Sequence, residues 1–191
     1  MRVNFQKIEM LFLSMALIMI AGLIINVGNV FAIIFPFQNK GLLEVVILAV
    51  SAPIGFIILP LLLSRVLNLI HFKIKFNLMQ AVLLFVVIAI LALYFFHSKE
   101  IIHDLIIAIC EEFLFRYVIF NILSSQFDKK ATFIIGSLLF ASLLHLNGNF
   151  IINLAIKFPA GLLLYYLADT FGLQSSIAFH WLYNMVIGQI V

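Results

Sequence analysis

Apolar runs of roughly 20 residues recur along this chain, each ended by a short polar or basic connection. A run of about 20 apolar residues matches the hydrocarbon thickness of a bilayer. Lipid offers the backbone no hydrogen bonds, so a spanning segment must satisfy its own, and a helix does so within one segment. The chain is therefore expected to be all-α, a polytopic membrane helix bundle of about seven transmembrane helices, with six to eight as the range. Composition agrees: 65% of the residues are hydrophobic and only 10% charged, with a mean hydropathy of +1.25. At 191 residues, seven or eight spans use up the length, so residues 1–191 are expected to form a single integral membrane domain with its catalytic core at 101–191.

The expected spans are 8–34, 42–63, 78–96, 101–124, 131–146, 150–167 and 173–191. The first is long enough to tilt or to break near Gly28. The second contains Pro53 and Gly55, which predict a kink. The connection 65–77 carries Arg65, Lys73 and Lys75 and has an amphipathic character suited to the membrane surface. The N-terminal run is longer than a signal-peptide core and lacks a small-residue cleavage site, so it reads as a retained first helix.

Loop charge predicts orientation. With the N-terminus inside, the inner segments hold Arg2, Lys7, Arg65, Lys73, Lys75, Lys129 and Lys130, against Lys40 and Lys99 outside. The expectation is a multi-pass cell-membrane protein with a cytoplasmic N-terminus. The net charge of +3 is small and spread over connections, which argues against a nucleic-acid partner. The lone cysteine, Cys110, excludes an internal disulfide and reads as packing.

One stretch breaks the pattern: Cys110-Glu111-Glu112-Phe113-Leu114-Phe115-Arg116. It sets two carboxylates and a guanidinium inside the fourth span. Each ionised group in lipid costs a few kcal/mol or more, so such residues mark function by default. Residues four apart share a helix face, so Glu112 and Arg116 are expected to pair. Glu111, about 100° away around the helix, is left free for chemistry. His180 and Asn184 in the seventh span are also four apart, and side by side they supply donors of the kind an oxyanion hole needs. His145 comes from the fifth span. A carboxylate held among these groups can act as general base on water and then as general acid to a leaving amine.

Glu-Glu-x-x-x-Arg, an isolated His on the next helix and His-x-x-x-Asn on a later one are similar to the CPBP family. Its members are the CAAX prenyl proteases of the Ras-converting type and the bacteriocin-processing or self-immunity enzymes. The resemblance covers about residues 78 to 191. Glu111 to Arg116 matches the first motif and His180 to Asn184 the third. The second is usually Phe-x-x-x-His; Ala141 stands four residues before His145 and Phe140 five before, so the histidine carries over and the Phe only loosely. The resemblance implies an intramembrane endopeptidase acting on a peptide or membrane-protein substrate. In it Glu111 activates water with help from His145, and His180 and Asn184 stabilise the oxyanion. No His-Glu-x-x-His occurs and a metal-free glutamate mechanism is favoured, while Glu111, His145 and His180 stay candidate zinc ligands with water in the fourth position. The competing expectations are a non-catalytic immunity or scaffold protein of the same fold, which binds a peptide toxin or sensor protein, and a proton-coupled transporter, against which the lack of repeat symmetry speaks. Substrate and oligomeric state are not encoded in the pattern.

Overall fold

The computed structural model describes residues 2–96, 100–143 and 150–187, and the regular structure in them is helical throughout. Seven helices follow one another. We number them α1 (Arg2–Ile34), α2 (Lys40–Val66), α3 (78–96), α4 (101–124), α5 (Lys129–Leu143), α6 (Phe150–Phe171) and α7 (Leu173–Ile187). Three are long and apolar enough to cross a membrane: Phe5–Ile34, Lys40–Val66 and Phe150–Phe171. The expected all-α membrane bundle is the observed one.

Helix ends follow local chemistry. The side chains of Asn39, Asn77 and Asp128 accept hydrogen bonds from the backbone N–H groups of Leu42, Gln80 and Ala131, satisfying orphan donors at the starts of α2, α3 and α5. Lys40 donates to the carbonyls of Ala32, Ile33 and Phe35, closing the end of α1. Gly172, with φ +98°, ends α6 in the left-handed region that glycine enters without penalty.

α4 is the hub, packed against α1, α2, α5, α6 and α7. Its Leu114, Phe115, Val118, Ile119, Ile122 and Leu123 are completely buried. The outer helices instead expose large apolar side chains, among them Phe12, Met19, Leu23 and Val27 of α1 and Leu62, Val82 and Ile152 of later helices. In water such a surface would be an aggregation hazard; against lipid it is matched to its solvent.

Three expectations change in detail. α1 runs unbroken through Gly28; a Cβ there would sit 3.0 Å from Ser51 Oγ on α2, so the glycine serves close helix approach. The kink at Pro53 takes the form of a π-helical segment, Pro53–Ile58. Similar segments occur at Ala92–Phe96 and Leu114–Ile119. The connection 67–77 folds inward: Asn121 Oδ1 accepts from the N–H groups of His71 and Phe72, and the Lys75 carbonyl accepts from Leu173 N–H.

Candidate active site

The site forms where α4 meets α7. Trp181 anchors α7: its indole N–H donates to the Ile101 carbonyl at 3.0 Å, and its ring meets Phe85 edge-on. This fixes the rotation of α7 and turns the adjacent His180 toward the acidic pair on α4.

Glu112 and Arg116 pair as their spacing requires. Arg116 Nε donates to Glu112 Oε2 at 2.9 Å and Nη2 to Oε1 at 3.3 Å; neither side chain is exposed. The π-helical segment Leu114–Ile119 carries Arg116, and such segments concentrate at functional sites. The guanidinium lies 4.2 Å from the Tyr165 ring centroid and 5.2 Å from that of Phe140, so aromatic faces replace water around it. Tyr165 donates its hydroxyl to the Phe115 carbonyl at 2.9 Å. Its phenol occupies the space a Cβ at Gly136 would need.

Glu112 has a second partner that helical spacing does not announce. Its Oε1 lies 2.9 Å from His180 Nδ1. The carboxylate accepts, so Nδ1 carries the hydrogen, and Nε2 is directed elsewhere. It faces Glu111: Nε2 and Glu111 Oε2 are 3.7 Å apart, beyond a direct hydrogen bond. Glu111 is 7% exposed, and its Oε2 is buried with no hydrogen-bond partner among the described residues. A buried carboxylate oxygen left unpaired is costly and calls for an explanation. Phe140 packs edge-on against the His180 ring at 5.7 Å, so it fills a packing position at the site despite its one-residue offset from the usual motif.

Asn184 lies one turn beyond His180 on α7, half-buried, and among the described residues its side chain makes no hydrogen bond. His145 lies outside the described residues. Of the candidate zinc ligands, Glu111 and His180 therefore converge; a catalytic zinc takes three protein ligands, and the described residues supply two here. Cys110 is 2% exposed and belongs to the core cluster around α4. Lys157 of α6 is half-buried. Sequence reading missed Tyr165, because a tyrosine in an apolar helix carries no motif.

The residues that build this geometry lie within one segment with a family match. Residues 101–186 match the family model described as type II CAAX prenyl endopeptidase, Rce1-like. No curated protein and no solved structure matches the chain. α4 through α7 thus carry both the motif residues and the match, and over residues 101–186 the chain is similar to the Rce1-like CAAX-type endopeptidases, in agreement with the resemblance read from its motifs.

Proposed function

We propose that the protein is a glutamate-dependent intramembrane endopeptidase. The observation that carries this reading is the unpartnered, buried Glu111 Oε2 facing His180 Nε2 at 3.7 Å. A water that accepts from His180 Nε2–H and donates to Glu111 Oε2 enters between them once the two groups part to the roughly 4.5 Å that two hydrogen bonds of about 2.8 Å span at a tetrahedral water. Glu111 takes a proton from this water as its oxygen bonds to the substrate carbonyl carbon. The carbonyl oxygen becomes the oxyanion and accepts from the Asn184 amide and from His180 Nε2–H. Collapse then breaks the C–N bond, and Glu111 returns the proton to the leaving nitrogen. His145 helps to orient the water. Glu112 fixes the imidazole through Nδ1, and Arg116 fixes Glu112.

The N-terminal and 65–77 end is assigned to the cytoplasmic side. Supporting this, the basic groups of that end gather together: Lys7 lies over the Phe127 ring, Lys129 pairs with Asp169 and Lys75 donates to the Asp169 carbonyl.

The reading is tested by purifying the protein in detergent and exposing wild type, Glu111→Gln and His180→Ala to a peptide library, with and without a chelator. Cleavage by wild type alone, unaffected by the chelator, supports it. Folded variants that retain full activity contradict it, and a wild type that binds peptide without cleaving favours the scaffold role.

A further inference from the structure

Beside the segment that carries Arg116 lies a cavity of about 450 Å³. It is large enough for a small-molecule ligand, and none of Glu111, Glu112 and His180 lines it. Its rim carries Lys73, Lys75 and Lys129, with Asp169 as its one acidic residue. Asp169 is already engaged by Lys129 and Lys75, while Lys73 is exposed and has no partner among the described residues. The walls are aromatic, with Phe120, Phe127 and Phe133 among them. Arg116 is among the lining residues, with its side chain fully buried.

We propose that this cavity binds an anionic amphiphile: an oxyanion head at the lysine rim and an apolar chain between the aromatic walls. Three cations over an apolar slot complement that chemistry. A neutral lipid would leave Lys73 uncompensated, and a free inorganic anion would leave the aromatic walls unfilled. A phospholipid of the surrounding leaflet is the favoured occupant, because basic pockets between spans at the membrane surface select anionic headgroups. The connection 67–77 forms one wall and is held in place by Asn121 and by the Leu173 N–H, so the rim is built before any ligand arrives. The proposal does not depend on catalysis.

The test uses delipidated protein in neutral detergent, titrated with phosphatidylglycerol and with phosphatidylcholine of equal chain length. Retained lipid is counted by native mass spectrometry, and unfolding is followed by Trp181 fluorescence. One phosphatidylglycerol per chain, a saturable rise in Tm and no comparable effect of phosphatidylcholine are expected. Lys73→Ala, at an exposed unpartnered site, should weaken binding about fivefold, the value of one lysine near an anionic surface, and Lys73→Arg should restore it. Competition by laurate at similar concentration supports the proposal and identifies a free amphiphile as a second source. Equal retention of both phospholipids, unchanged binding in Lys73→Ala, full displacement by inorganic phosphate, or displacement by a peptide with a free C-terminal carboxylate under conditions where phosphatidylglycerol gives no stabilisation overturns it.

Discussion

Arg116→Ala is the perturbation that probes the support of the site most sharply. In wild type Arg116 gives Glu112 two hydrogen bonds, at 2.9 and 3.3 Å, with both side chains wholly buried. The substitution leaves Glu112 with His180 alone and opens a void beneath Tyr165. Removing one partner of a buried pair costs about 3–5 kcal/mol, mainly because the other charge stays buried. For chains of this length, 1 kcal/mol shifts Tm by roughly 2–4 °C, so a fall of about 6–20 °C is expected. Trp181 is the single tryptophan and is buried beside His180, so its emission in detergent reports the loss directly. The double variant Glu112→Ala/Arg116→Ala should be no less stable than Arg116→Ala, since it removes the stranded charge; the implied coupling is about 2 kcal/mol or more, within the range for contacting residues. A Tm within about 2 °C of wild type for Arg116→Ala, or additive losses in the double variant, would refute the claim that the two groups act as one buried pair.

Three other outcomes follow from the same geometry. Glu111→Gln exchanges an unpaired buried carboxylate for a neutral amide, so its Tm should equal or exceed that of wild type; a fall of several degrees would assign Glu111 a structural role. Asn184→Ala should lower kcat by about 10²–10³, the cost of one oxyanion donor, with KM nearly unchanged; a change confined to KM would make Asn184 a binding residue only. Gly136→Ala forces a Cβ into the Tyr165 phenol, which should cost about 1–3 kcal/mol in overpacking and slow cleavage by disturbing Arg116; a Tm equal to that of wild type would show that the phenol moves freely.

Much of this arrangement is legible in the residues because two simple periodicities govern it. Twenty-residue apolar runs marked α1, α2 and α6, and the i,i+4 rule marked the Glu112–Arg116 pair. The same rule placed His180 and Asn184 on one helix a turn apart. What escaped has a physical reason in each case. The π-helical segments, including the one that carries Arg116, change the backbone hydrogen-bond register without altering hydropathy. The bond between Glu112 and His180 joins residues 68 positions apart, and no local spacing reports such a contact. Tyr165 backs Arg116 with its ring and bonds the Phe115 carbonyl with its hydroxyl, yet in sequence it is one aromatic among many. The connection 67–77 is amphipathic, and that pattern fits a membrane surface as well as the cavity wall it forms; Asn121, far along the chain, decides between them.

The most direct test of the account is the initial rate of peptide cleavage by purified Glu111→Gln relative to wild type, with both proteins shown to be equally folded. Loss of a general base predicts a fall of about 10²–10⁴, with Tm preserved and peptide binding retained. A Glu111→Gln enzyme that cleaves at the wild-type rate would remove Glu111 from the chemistry and leave the cluster with Glu112, Arg116 and His180 as a structural feature alone.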